Sequence, residues 1–515
     1  MRRHRAVVTA AVVLVAALGS AWIRSGPFVG AVQAQGGGLD ASLASVLQGA
    51  GFTGTMEASL ERRLGRSLDT RLVNLGRLLF FDNVLALHED NACAGCHSPA
   101  FGLGDSQTMA IGVQSNQIVG PLRTGPRNQR KAPTVINAAM LPRLMLNGRI
   151  TAVSGDPFDN SRGFAFPAPE GHLQKFPAGD SRFPTLLSAQ GLLPFVSLFE
   201  MAGFTGARTR PFFRTMPEFH ALDDGRGTRL PNDTNHTDFR DPGFLNEEIR
   251  DLVLQKLQKI GGYRLGFADV FGGSRAAGFH IQDWMVGQAL AEFQMSLVLA
   301  DAPIDRFARG DRSAMTDAQK RGALLFFGEA GCVRCHAAGG GSNEMFSDFQ
   351  VRVLGVPQVL PAGFGPGLGN VVFDGQARTE DFGAEQATGL PSDRYKFRTT
   401  PLRNVAIQRA FFHNGAFTRL DDAIGHHLDV AGSIAAYHPG VAGLDPDLRR
   451  GPDVPLAVVD PLVQQPTPLS ASERNDLLAF VRDGLLDPRA RPEHLCHLVP
   501  RTVPSGMPVL VFQGC

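Results

Sequence analysis

The sequence predicts a mostly α-helical chain of two similar units packed side by side, interrupted by long loop insertions. Three observations carry this. The phrase Gly76-Arg77-Leu78-Leu79-Phe80-Phe81 returns as Gly322-Ala323-Leu324-Leu325-Phe326-Phe327, an internal repeat. No stretch alternates apolar and polar residues convincingly enough to build a sheet. Gly 59 and Pro 34 in 515 residues, without any three-residue period, point to long irregular connections between short helices.

The chain opens with Arg2, Arg3 and Arg5 before an apolar stretch from Ala6 to Ile23, and Val32-Gln33-Ala34 offers a small-residue cleavage site. Residues 1–34 are therefore expected to be a signal peptide, or an uncleaved membrane anchor, and the protein to be periplasmic or otherwise exported. Lys plus Arg is 50 and Asp plus Glu is 49, with no long run of either sign, which argues against nucleic acid as a partner.

Each copy of the repeated phrase precedes a cysteine motif, Cys93-Ala-Gly-Cys96-His97 and Cys332-Val-Arg-Cys335-His336. C-x-x-C-H is the signature of covalent c-type haem attachment, and this composition would give about 0.002 chance matches. The two thiols bond the haem vinyl groups, and the adjacent imidazole then lies under the iron. Two haem c groups follow as cofactors, with His97 and His336 as iron ligands.

Around these motifs, Thr316 and Gln319 form a capping box that starts the second repeated helix, and Ser470 and Glu473 form another before Leu477, Leu478, Phe480 and Val481. Val286, Leu290, Phe293 and Leu297 recur at helical spacing and predict one long amphipathic connecting helix. The expected organisation is an N-terminal haem domain over 35–300, with insertions at about 151–183 and 207–243, and a C-terminal haem domain over 301–490. The tail 491–515 holds Cys496 and Cys515, which in an oxidising compartment are expected to form a disulfide worth roughly 3 kcal/mol.

Several phrases make the chain resemble the bacterial di-haem cytochrome c peroxidase superfamily, which holds peroxidases, maturases and oxygenases. They are Leu75 to Asp82 with the first haem motif, Ala132-Pro133-Thr134-Val135-Ile136-Asn137, Asn147-Gly148-Arg149, Asp305-Arg306-Phe307 with Gly310-Asp311, Phe397 through Val405, and Phe412-His413-Asn414-Gly415. The resemblance implies two cytochrome c-type haem domains, the first reacting with hydrogen peroxide and the second relaying or storing an electron. It implies a distal glutamine and glutamate ten residues apart, a spacing that Gln190 and Glu200 keep. Cleaving an O–O bond needs a group that takes a proton from one oxygen and returns it to the other.

The same resemblance marks departures. The loop histidine that plugs the first haem of reductively activated peroxidases corresponds to Val113, so an open sixth position is expected, with Met109, Met140 and Met145 as alternative ligands. The second haem's distal ligand, Met or Tyr in relatives, falls on His427. Leu420, Ile424, His427 and Leu428 share a helical face, with His426 as competitor. The inter-haem tryptophan is replaced by Leu146, and the asparagine of a calcium site aligns with Lys131 or Asn128. Implied partners are hydrogen peroxide and, as electron donor, a small redox protein or an oxidisable protein. The alternatives are maturase- or oxygenase-like oxidation of a protein or organic substrate, and a non-enzymatic electron carrier. The aromatic count is lopsided, with 36 Phe against 3 Tyr and 2 Trp. Such a chain offers few side chains for oxidation to leak into.

Overall fold

A computed structural model describes residues 38–167, 175–203, 245–272, 278–362 and 372–515. Residues 1–34, expected to be a leader or anchor, and the expected insertion at 207–243 lie outside the described residues. No helix among those described is long and apolar enough to cross a membrane.

The two copies of the repeated phrase become two matching helix pairs. In the first, Asp69 caps Thr70–Phe81, which buries Leu72, Leu75, Gly76, Leu79, Phe80 and Phe81 against the helix Asp283–Met295. In the second, the Thr316/Gln319 box starts Asp317–Phe327, which packs on Ala471–Ala479, itself opened by the Ser470/Glu473 box. Both crossings are so close that only glycine fits. A Cβ on Gly76 would stand 1.9 Å from the Ala289 carbonyl oxygen, and one on Gly322 would stand 1.9 Å from that of Asp476. Edge-to-face rings flank each crossing, Phe80 on Phe293 at 5.2 Å and Phe326 on Phe480 at 5.3 Å.

The loops after the haem motifs repeat as well. Asn137 and Asn404 adopt left-handed backbone at φ 62° and 58°, each opening a short 3₁₀ turn. Their backbone N–H groups donate to Leu297 and Leu485, and their side-chain oxygens accept from Leu299 and Asp487. Each loop is thereby tied to the segment that follows its closing helix.

Two expectations change here. Asp283–Met295 stops short of Leu297 and is buried on nearly every face, so it is the closing helix of the first repeat, not an amphipathic connector. The first insertion contributes strands: Ile150–Ala152 and Phe164–Ala165 join Arg143–Leu144 in a three-stranded antiparallel sheet, and Phe176 meets Phe166 at 4.4 Å and Phe183 edge-on at 4.9 Å. The remaining sheets described are two-stranded, with strands of two or three residues.

The ends of the chain cross between repeats. Leu39–Gly49, within the range read as the first unit, packs Leu43 and Leu47 against the second repeat's Ala323 and Phe326. The tail folds back onto the first repeat. Val511–Phe512 pairs in parallel with Ile118–Val119, Ser505 donates to Asp82, and Cys496 meets Cys515 with Cα atoms 5.2 Å apart.

Candidate functional site

One continuous cavity runs between the repeats, lined by Cys93, Cys96 and His97 at one end and by Cys332, Cys335, His336 and His427 at the other. The three histidines are held alike. His97 Nδ1 lies 3.3 Å from the Leu103 carbonyl oxygen, His336 Nδ1 2.9 Å from that of Phe346, and His427 Nδ1 2.8 Å from that of Ala423. A backbone acceptor on one ring nitrogen orients a histidine so that the other can bind metal. Burial pushes His97 and His336 down to about 4 and lowers His427, so all three are neutral with a lone pair to give.

His336 and His427 face each other with ring centroids 6.2 Å apart. With metal–nitrogen bonds of about 2 Å on each side, two imidazoles sharing an axial metal stand about 6 Å apart, so the pair fits one iron between them. The competitor His426 points elsewhere. Its Nδ1 meets Ser433 Oγ at 3.0 Å and its Nε2 meets the Leu354 carbonyl oxygen at 2.9 Å, which leaves neither nitrogen for a metal.

At the first end, Gln190 closes the helix Leu186–Gln190 and Glu200 sits on a π-helical turn, Leu198–Ala202; both line the cavity. The turn is pinned from behind. Asn91 Nδ2 donates to the Glu200 carbonyl oxygen at 2.9 Å, and Val113 N–H to that of Phe199 at 3.2 Å. A Cβ on Gly112 would stand 2.1 Å from the Phe199 oxygen. The Glu200 carboxylate lies close enough to the cysteines to act on them: burial pushes the Cys93 and Cys96 thiols up to about 12, and its charge adds to both.

Val113 is wholly buried and does not line the cavity. Met109 and Met140 are likewise buried elsewhere, whereas Met145 does line it. Met201, beside Glu200, lines it too and was not singled out from the sequence.

The cavity also carries cationic and orphaned polar groups that suit an anionic cofactor. Arg398 is buried, donates only to the carbonyls of Met145 and Thr399, and has no carboxylate partner among the described residues; burial lowers it to about 10. Lys131 lines the cavity, lowered by burial to about 8. His413 stacks on Phe397 at 3.5 Å, and its Nε2 is buried without a hydrogen-bond partner. A fully buried unpaired cation is costly, and the two carboxylates of a haem would offset that cost. The sequence marked Arg398 and His413 only as parts of longer phrases.

Asn128, one of the two candidates for the expected calcium site, accepts the Gln129 N–H with its side-chain oxygen at 2.7 Å. Leu146 sits at the seam, where its carbonyl accepts from Arg398 N–H at 2.7 Å.

Residues 70–313 match the family described as di-haem cytochrome c peroxidase. The chain is 26% identical to the methylamine utilization protein MauG of Methylophilus methylotrophus over 375 residues, 72% of this chain and 77% of that protein. It is 26% identical to the cytochrome-c peroxidase IdrP2 of Denitromonas iodatirespirans, again over 72% of this chain and 77% of the relative. Over a shorter stretch, 34% of this chain and 44% of the relative, it is 31% identical to the cytochrome c551 peroxidase of Pseudomonas aeruginosa. In fold it resembles the diheme peroxidase BthA from Burkholderia thailandensis, with a TM-score of 0.50 at 19% identity, covering 82% of this chain and 88% of that one. The repeated helix pairs, the paired cysteine–histidine motifs and these matches agree: the chain is an oxidoreductase, and its residues 70–313 carry the pattern of the di-haem cytochrome c peroxidase family.

Proposed function

We propose that this chain is an exported di-haem c-type peroxidase that reduces hydrogen peroxide at the first haem, the second storing or relaying an electron. The observation that carries this reading is that Gln190 and Glu200 line the His97 end of the cavity while Val113 stays buried outside it. Bound haem would supply the redox-active iron at each end.

The chain's own residues do the rest. Cys93 with Cys96, and Cys332 with Cys335, would attach the two haems as thioethers, while His97 and the His336/His427 pair would ligate iron. Glu200 would take a proton from one peroxide oxygen and return it to the other, and Gln190 would orient the peroxide through its amide. Arg398, Lys131 and His413 would hold the haem carboxylates. With Asn128 committed to Gln129, Lys131 supplies positive charge in place of calcium; stoichiometric calcium on metal analysis would overturn that assignment. The Cys496–Cys515 pair is read as a disulfide staple, in keeping with the exported location that the leader implies.

A second reading, oxidation of a protein or organic substrate in the manner of a maturase, is favoured by the His336/His427 geometry. A second imidazole in place of a thioether lowers haem potential, which makes the second site a poor port for high-potential donors and a better store of oxidising power.

EPR and optical spectra of the purified diferric protein, before and after one equivalent of hydrogen peroxide and without reductant, test the proposal. A high-spin signal that peroxide abolishes within seconds is the expected result. Two low-spin signals unmoved by peroxide would overturn it and favour an electron carrier.

A further inference from the structure

The chain packs almost entirely with phenylalanine, so its three tyrosines stand out as sites of one-electron oxidation, and their surroundings differ. Tyr263 is fully buried on Asp82 and does not line the haem cavity. Tyr437 is buried and donates to the Ala416 carbonyl oxygen, which is too weak a base to take its proton. Tyr395 alone among them both lines the cavity and reaches solvent. Its hydroxyl donates to Glu380 Oε1 at 2.6 Å.

The placement of Tyr395 is held at a conformational cost. Its backbone is left-handed at φ 62°, unusual for a bulky side chain, and is fixed by its N–H donating to the Phe382 carbonyl oxygen at 3.0 Å. Its ring meets Phe382 edge-on at 5.8 Å, and the Arg394 guanidinium, paired with Glu385, covers the Phe382 ring. Tyr395 also packs against the cluster of Val353, Val454 and Val459. The same cluster holds Val430, three residues after His427, so the tyrosine stands on the His427 side of the cavity.

We propose that Tyr395, with Glu380 as its proton acceptor, is the redox relay through which an external one-electron donor reduces the second haem site. The inference rests on the peroxidase reading, in which hydrogen peroxide is the oxidant. Tyr395 gives one electron to the oxidised second site and its phenolic proton to the Glu380 carboxylate, leaving a neutral tyrosyl radical and a carboxylic acid. The donor then returns one electron, and Glu380 returns the proton.

The test treats the di-haem protein with hydrogen peroxide in the presence of a nitroso spin trap and maps the adduct by peptide mass spectrometry. The adduct is expected on Tyr395, absent in Tyr395→Phe and at least tenfold weaker in Glu380→Gln. Consumption of ferrocyanide as donor should slow at least tenfold in Tyr395→Phe, whose ring still packs on Phe382 and whose haem spectra report folding. Adducts on Tyr263, Tyr437 or Trp284 instead, or an undiminished Tyr395 adduct in Glu380→Gln, would overturn the proposal. A parallel arm replaces peroxide with hexachloroiridate(IV). Glu380-dependent labelling of Tyr395 there, without any reaction with peroxide, would sustain the relay while sinking the peroxidase reading.

Discussion

The two repeats differ less in what holds a haem than in what faces it. Both cross their helices on a glycine against a backbone carbonyl, both flank that crossing with a Phe pair, and both orient the motif histidine through a carbonyl. Opposite His336 the chain supplies a helix, Leu420–Leu428, that sets His427 at 6.2 Å. To the wall of the cavity in the first repeat it supplies a helix end and a π-helical turn bearing Gln190 and Glu200. On the proposed function, a common scaffold becomes a closed site in one half and a reactive one in the other through the segment brought to each end of the cavity. Chemistry is set there rather than by the cysteine motif.

The sharpest way to break this contrast is Glu200→Gln, which keeps the shape of the side chain and removes its proton transfer. Peroxide turnover should fall by about 10²–10⁴-fold, the usual worth of a general acid–base group. The spectrum of the second haem should not change. A loss of less than threefold in stopped-flow peroxide consumption would mean that the first site cleaves the O–O bond by other means.

Next in size is His427→Met. It should raise the reduction potential of the second haem by a fraction of the roughly 0.8 V that axial ligands span, leaving the first haem unmoved. Spectroelectrochemistry resolves the two. If both potentials shift together, the haems are coupled through the seam at Leu146 despite the missing tryptophan. His426→Ala serves as the control, because its nitrogens are occupied by Ser433 and Leu354.

How much of this the sequence revealed depends on the range of the interaction involved. The C-x-x-C-H motifs and the repeated helical phrase are local, and so is the apolar face carrying His427. The choice between His426 and His427 needs the Leu354 carbonyl, 72 residues away, although the helical face already pointed to His427. Val286, Leu290 and Phe293 fit an amphipathic connector and a buried core helix equally well. Only the approach of Gly76 to Ala289 decides between them. Strands of two or three residues, as at Ile150–Ala152, are too short to produce an alternating pattern, so the first insertion read as loop. The lone charge of Arg398 has no sequence signature at all, because being unpaired is a property of its neighbours.

The shared scaffold can be tested by symmetric substitution. Gly76→Ala and Gly322→Ala each press a methyl group into a backbone carbonyl, and each should cost about 3 kcal/mol or more, since neither helix can shift without disturbing its Phe pair. Similar losses in thermal stability would confirm two equivalent crossings. A tolerated change at Gly322 alone would mean that the second repeat is the looser of the two.

The smallest expected effect concerns a group at the first site. Asp105 accepts the backbone N–H groups of Gln107 and Ala132, which anchors the loop leading to Asn137. Burial raises its carboxyl from 3.8 to about 6, against the opposing pull of those hydrogen bonds and of the Lys131 charge. Between about pH 4 and pH 6 the unfolded chain has lost this proton while the folded chain still holds it. Stability on this account is full below pH 4 and falls as pH rises through 6, by at most about 3 kcal/mol. Asp105→Asn should flatten that decline in a series of thermal melts from pH 4 to pH 7. An unchanged slope would place the titrating group elsewhere and leave Asp105 ionised through the whole range, neutralised by Lys131.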